Sequence, residues 1–291
     1  MISKELLQKI KALEIRTRHV VNAMVSGQYQ SVFKGQGISF SEVREYNYGD
    51  DVRFIDWKVT AKTGKPHIKR FEEERELTVI IMVDISGSLS FGSDQRTKRD
   101  IVAEISAVLG FSAICNKDKV GLVLFTDQVE VFIPPKKGKN HMLHILRDIY
   151  TYRPVSKLTS IRNALSYLLT SVSRKAVVFL ISDFMSDGYS KQLQIVAKKH
   201  DFVPVIIEDP RECALPNSGI VALEDEETGE ILYLNSGLKK VRDAYSQMKY
   251  AAKLELERVF NSLNISSIRV DVTKPYLSSL AAFFKSRAKR Y

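Results

Sequence analysis

The feature that most constrains this chain is an alternation that sets in at about Leu77. Short runs of nearly continuous apolar residues, TVIIMVD, VGLVLFTD, AVVFLISD and DFVPVIIED, are separated by stretches with helical spacing. Strands buried on both faces read as unbroken apolar runs, and parallel neighbours need crossover helices between them. The pattern therefore predicts a doubly wound α/β domain with a mostly parallel sheet. TVIIMVD is its first strand. RTKRDIVAEISAVLGFSAICNKD follows as a helix, spaced through Ile101, Ile105, Leu109 and Ile114. VGLVLFTD and VEVFIPP are joined by a tight connection around Gln128, which predicts a hairpin at one edge. HMLHILRDIYTY, SIRNALSYLLTSVS and KQLQIVAKKH are predicted helices. A helical pattern from Leu238 to Leu263, a short strand in ISSIRVDVT and a final helix in YLSSLAAFFKSRAKR close the domain.

This domain is expected over residues 76–291, with a small hairpin insertion at 215–236 turned around the acidic EETG. Residues 1–75 have a different character and form an N-terminal region. From Lys4 to Ser26, apolar residues such as Leu6, Ile10, Leu13, Val20 and Met24 predict one or two amphipathic helices that pack on something larger. A compact loop-and-strand segment broken by GQG, YGDD and TGKP follows. It crowds Arg44, Glu45, Asp50, Asp51, Arg53, Asp56 and Trp57 together. These residues form a partner-binding surface, a catalytic carboxylate cluster or a salt-bridged structural lid. The near match of acids and arginines favours mutual pairing, because an uncompensated buried charge costs more. Trp57, the only tryptophan, reads as a packing anchor.

Composition narrows the function classes. With 44% hydrophobic and 27% charged residues, the chain has the balance of a soluble globular protein. No apolar run approaches the roughly 20 residues that cross a bilayer, and MISKELLQKIKALEIRTRHVV lacks a signal-peptide core, so a cytoplasmic protein is expected. Cys115 and Cys213 have no metal-ligand or paired spacing. The net charge of +10 raises the alternative of a nucleic acid or membrane-surface binder. Apart from the basic KSRAKRY, however, lysines and arginines interleave with acids, and the motifs of dedicated nucleic-acid modules are missing.

In a doubly wound sheet, ligands sit beyond the carboxyl ends of the strands. Asp84 lies there, and the loop Asp84-Ile85-Ser86-Gly87-Ser88 places a carboxylate and two hydroxyls at alternate positions where the chain turns towards a helix. All are hard oxygen donors, which suits Mg2+ or a similar divalent cation. Asp183, ending a strand, and Thr159, where a helix begins, bring further oxygens to the same crevice. Other readings of the loop are weaker. A serine nucleophile lacks GxSxG and an identifiable base. A phosphate loop lacks its lysine. A phosphoaspartate enzyme or hydrolase centred on Asp84 remains an alternative, although Ser86 stands where a second acid is usual. Plain helix capping by Asp84, with local bonds from the serines, is the simplest reading.

The DISGS loop after an apolar strand, Thr159 ahead of SIRNAL, and a strand ending in Ser182-Asp183 resemble the metal-ion-dependent adhesion site of a von Willebrand factor A domain, over Leu77 to the C-terminus. Upstream, FSEVREYNYGDDVRFIDWKVTAKTGKPHIKRFEEE resembles the segment that precedes an A-like domain in the bacterial family known as domain of unknown function 58. The resemblance implies that Ser86, Ser88 and Thr159 are direct metal ligands, that Asp84 and Asp183 act through metal-bound water or by orientation, and that a partner's carboxylate completes the shell. It further implies a non-enzymatic adaptor that works with a MoxR-type AAA ATPase on a client protein, in chaperone-like maturation. The chain departs from the pattern in having Leu158 where glycine commonly precedes the threonine, Ser160 where an acid is frequent, and Phe184 after Asp183.

Overall fold

The computed structural model describes residues 8, 10–15, 17, 38–73, 76–87 and 97–289. The chain divides into two compact units, Lys34–Leu77 and the remainder.

In the smaller unit, β1 (Ile38–Glu45) pairs antiparallel with β2 (His67–Glu73). Between them runs a single turn, Val52–Phe54, and then the helix α1 (Trp57–Thr63), which the sequence reading did not anticipate. Its signals are local. The Asp56 carboxylate caps it by accepting from the Lys58 and Val59 amides at 3.0 and 3.2 Å, and Gly64 ends it at φ 73°. The clustered charges pair with one another, as expected. Arg44 grips Asp50 through two hydrogen bonds of 2.8 and 2.9 Å, and Arg53 holds Asp51 at 2.6 Å. Lys69 lies 3.6 Å from Asp56. Trp57 is not a packing anchor. It is 71% exposed, because the Asp56 cap sets it at the first position of a seven-residue helix that buries none of its residues.

In the larger unit, β3 (Thr78–Asp84) is followed by α2 (Lys98–Cys115), β4 (Lys119–Phe125), β5 (Val129–Lys136), α3 (Lys139–Thr151), α4 (Ile161–Ser171), β6 (Val177–Ser182), α5 (Ser190–Lys199) and β7 (Asp201–Glu208). A hairpin of β8 (Ile220–Glu224) and β9 (Ile231–Asn235) precedes α6 (Lys239–Ser262), β10 (Ile268–Asp271) and α7 (Tyr276–Ala288). The six-stranded sheet runs in the order β10-β7-β6-β3-β4-β5. Every pairing is parallel except β4 with the edge strand β5. This is the mostly parallel α/β architecture that the apolar runs predict.

Side-chain alternation divides the core. Ile80 and Met82 of β3 pack with Leu165 and Leu168 of α4, Leu193 and Val196 of α5 and Phe260 of α6. The largely buried α2 lies against β3 and β4 together with its neighbour α3. α2 begins with a reciprocal cap between Thr97 and Asp100, which satisfies amides that the first turn would otherwise leave open. Of the expected N-terminal helices, Gln8, Ile10–Ile15 and Thr17 are described, and they are helical. Ile10 and Leu13 are buried, and Glu14 reaches Lys139 at 2.6 Å. The rest of Lys4–Ser26 lies outside the described residues. Among the described residues, no helix is long and apolar enough to cross a membrane.

Candidate functional site

The strand order locates the crevice. From β3 the chain crosses to β4 on one side and later returns to β6 on the other, so the sheet reverses direction at the carboxyl ends of β3 and β6. Helices diverge at such a point and leave an opening. Asp84 is the last residue of β3, and Asp183 follows the last residue of β6.

Asp84 has no exposed surface. Its Oδ1 accepts from the Ser86 amide at 3.1 Å and its Oδ2 from the Ser182 hydroxyl at 2.8 Å. The Ser86 side chain also bonds this carboxyl. Burial first, and then the charge of Asp183, pushes the Asp84 carboxyl up to about 7, although the Ser86 and Ser182 hydrogen bonds favour its charged form. Among the described residues, no basic side chain figures in these influences. Ser86 is itself buried. Ser88 lies outside the described residues.

Asp183 is half-buried and accepts from the Met185 amide at 3.2 Å, while the Phe184 amide donates to the Ser182 hydroxyl at 3.0 Å. Phe184 has φ 60°, a left-handed conformation that glycine adopts without cost and other residues adopt only under compensation. Its ring provides that compensation. It is buried edge-on against Tyr189 and Phe260, with centroids 6.4 and 5.5 Å away. The departure at Phe184 thus keeps the turn that glycine would make and anchors it in the core.

Thr159 precedes α4. The segment carrying it is tied to the Asp84 loop by the Gly87 amide, which donates to Lys157 O at 3.0 Å. Thr126, at the end of β4, accepts the Ser160 amide at 3.0 Å. Glu130, on β5, binds the segment from outside. Its carboxylate takes the Thr126 hydroxyl at 2.7 Å, the Val155 amide at 2.9 Å and the Ser156 amide at 3.3 Å. Burial raises the Glu130 carboxyl, but these hydrogen bonds outweigh it and hold it below its usual range. The sequence reading missed this role. The only local signal is an acid four residues after the Thr126 strand end. Ser160, standing where an acid is frequent, caps α4 by accepting from the Asn163 amide at 3.3 Å.

Thr159 already holds a carboxylate. Its amide donates to Glu227 Oε2 at 3.1 Å and its hydroxyl to Oε1 at 2.6 Å. Glu227 comes from the tip of the β8–β9 hairpin. The sequence points to a hairpin here, and β8 and β9 form one, but nothing in the sequence points to where its tip lands. The hairpin backbone comes equally close to the Asp84 loop, since a Cβ placed on Gly87 would lie 2.5 Å from Glu226 O. No side chain fits there.

The donor chemistry fits a hard divalent cation. Asp84, Ser86, Thr159 and Asp183 offer only oxygen, and the mutual repulsion of two carboxylates is what a cation relieves. Among the described residues no group of three or more His, Cys, Asp or Glu side chains is placed to hold an ion, so any such site here relies on the hydroxyls. Beside Asp183 a cleft of roughly 430 Å³ is floored by Phe184, Met185 and Leu256, with Lys249 and Lys253 on its wall.

A family model described as "Protein of unknown function DUF58" matches residues 42–255. The chain belongs to this family. The DUF58 match takes in Asp84, Thr159, Asp183 and the whole hairpin. The uncharacterized protein Rv1480 of Mycobacterium tuberculosis is 26% identical over 288 residues, covering 98% of this chain and 90% of that one. YeaD of Bacillus subtilis is 27% identical over 109 residues, 38% of this chain and 25% of its own. Among solved structures, BatB from Bacteroides thetaiotaomicron aligns at 15% identity with a TM-score of 0.46, covering 73% of this chain and 99% of that one. The SpRpn10 VWA domain aligns at 14% identity with a TM-score of 0.42, covering 70% and 93%.

Proposed function

We propose that this DUF58 chain is a non-enzymatic protein-interaction module whose crevice docks a carboxylate-bearing segment of another protein with the help of a divalent cation. The observation that carries the reading is the grip of Thr159 on the Glu227 carboxylate, on a segment tied to the buried Asp84 loop through the Gly87 amide. An amide and a hydroxyl aimed at one carboxylate recognise it with charge-assisted hydrogen bonds. Mg2+ held by Asp84, Ser86, Ser88, Thr159 and Asp183 would supply a positive charge beside Asp84, whose surroundings among the described residues include no basic side chain acting on it. The buried state of Asp84, hydrogen-bonded by the Ser86 amide, the Ser86 side chain and the Ser182 hydroxyl, suits a buttress better than an attacking nucleophile. On the family resemblance, the partner is a MoxR-type AAA ATPase in the cytoplasm, with a client protein matured by the pair.

The test is a pull-down with the MoxR-type ATPase of the same genome, in Mg2+ and in EDTA, for the wild type and Ser86→Ala. Capture that requires Mg2+ and fails in Ser86→Ala is expected. Equal capture in all four conditions, or a melting temperature indifferent to Mg2+, removes the cation from the account.

A further inference from the structure

The hairpin tip is a turn held by its own hydrogen bonds. Asp225 closes it. The Asp225 amide donates to Glu230 O at 2.9 Å and the Gly229 amide to Asp225 O at 2.7 Å. The Asp225 carboxylate accepts from the Glu227 and Thr228 amides at 2.8 and 3.2 Å, which hold it below its usual range. From this turn Glu227 takes both donors of Thr159, while the Glu226 carbonyl rests on Gly87.

Between tip and base the hairpin is lightly held. β8 and β9 form a two-stranded sheet of their own, and Ile220, Ile231, Leu232 and Tyr233 are exposed. Among the described residues, the hydrogen bonds to the rest of the unit lie at the two ends. At the base, Arg242 donates to Ser236 O at 2.6 Å, while the Ser236 amide and hydroxyl close the hairpin's own flanks by donating to Gly219 O at 2.7 and 2.9 Å. An element that buries little apolar surface lifts at low free-energy cost.

We infer that the β8–β9 hairpin is a removable internal occupant of the docking crevice, with Glu227 standing in for the partner's carboxylate. The inference rests on the docking reading proposed above. It specifies the partner as a protein segment that presents a carboxylate on a tight turn, as Asp225–Gly229 does. It also makes binding a competition, because a crevice closed by its own hairpin shows a partner only the fraction of molecules in which the hairpin has lifted.

The experiment uses the full chain as wild type, Glu227→Ala and Gly87→Ala. Glu227→Ala removes the carboxylate, and Gly87→Ala pushes the Glu226 backbone away without altering Glu227. Amide hydrogen exchange of residues 220–235 is measured without metal. Binding of a labelled synthetic peptide spanning residues 219–236 is measured by anisotropy in Mg2+ and in EDTA, with the Glu227→Gln peptide as a control for simple attraction to a basic chain. Expected results are faster exchange across the hairpin in both variants and peptide affinity raised about ten- to a hundredfold over the wild type, the gain confined to the Glu227 peptide. Unchanged exchange in both variants overturns the inference. So does faster exchange with unchanged peptide affinity. Loss of any Mg2+ effect, with the exchange and competition results intact, sinks the cation and leaves the internal occupant standing.

Discussion

Replacing Phe184 separates the strain in the Asp183 turn from the packing that supports it. The residue sits at φ 60° with its ring buried 5.5 Å from that of Phe260 and 6.4 Å from that of Tyr189. Phe184→Ala keeps the left-handed backbone and deletes the ring, which costs about 3 to 5 kcal/mol for a buried phenylalanine. Phe184→Gly deletes the same ring but releases a conformational penalty of about 1 to 2 kcal/mol. Against that release stands the greater freedom of glycine in the unfolded chain, about 0.4 to 1 kcal/mol. Glycine is therefore expected to be the more stable variant by about 1 kcal/mol, the reverse of the usual order. For a unit of this size that is a melting difference of roughly 2 to 4 °C. Urea unfolding of both variants, with equal slopes, measures it. If the alanine variant is as stable as the glycine variant or more so, the backbone at Phe184 is not strained, and the argument that burial compensates for the missing glycine is wrong.

Further expectations concern the same unit. Glu130→Ala frees the Thr126 hydroxyl and the Val155 and Ser156 amides, so it should cost about 1 to 2 kcal/mol and speed amide exchange at 155–159; protection unchanged there would deny Glu130 its positioning role. His200 is buried, its Nδ1 accepts the Ala176 amide at 3.3 Å, and burial, followed by the charge of Lys199, pushes it down to about 4. The unfolded chain then binds the proton first, so stability present above pH of about 6.5 should fall, by about 2 kcal/mol at pH 5, and His200→Gln should flatten this slope. An equally steep pH dependence in the variant would place its origin elsewhere. Mg2+ at about a hundred times its dissociation constant should stabilise the wild type by about 2.7 kcal/mol, and Ser86→Ala should lose that gain in a thermal melt with and without EDTA.

Much of the fold was legible because burial on both faces leaves a signature no local rule obscures. TVIIMVD, AVVFLISD and DFVPVIIED are too uniformly apolar for an exposed element, and the tight turn at Gln128 announced the antiparallel edge. α1 was missed because its cap, Asp56, stands among charges read as a single cluster, and its first residue, Trp57, looked like core by type. Capping geometry, not hydrophobic periodicity, makes that helix. At the crevice, the positions of Asp84 and Asp183 at the carboxyl ends of two parallel strands were legible, because the apolar runs end at them. Glu130 was not, since its hydrogen bonds go to backbone amides 25 and 26 residues away, and amides carry no sequence signature.

The chain alone determined the alternation of apolar strands and crossover helices from about Leu77, the mostly parallel sheet with its edge hairpin, and a loop rich in hard oxygen donors after the first strand, because each follows from local periodicity joined to general rules of sheet topology. Only the tertiary structure decided that Phe184 turns left-handed behind Asp183 and that Thr159 meets Glu227 across 68 residues of chain. Those depend on which surfaces remain to be satisfied once the sheet has closed. A carboxylate on a hairpin tip carries no mark in sequence of the hydroxyl it will find.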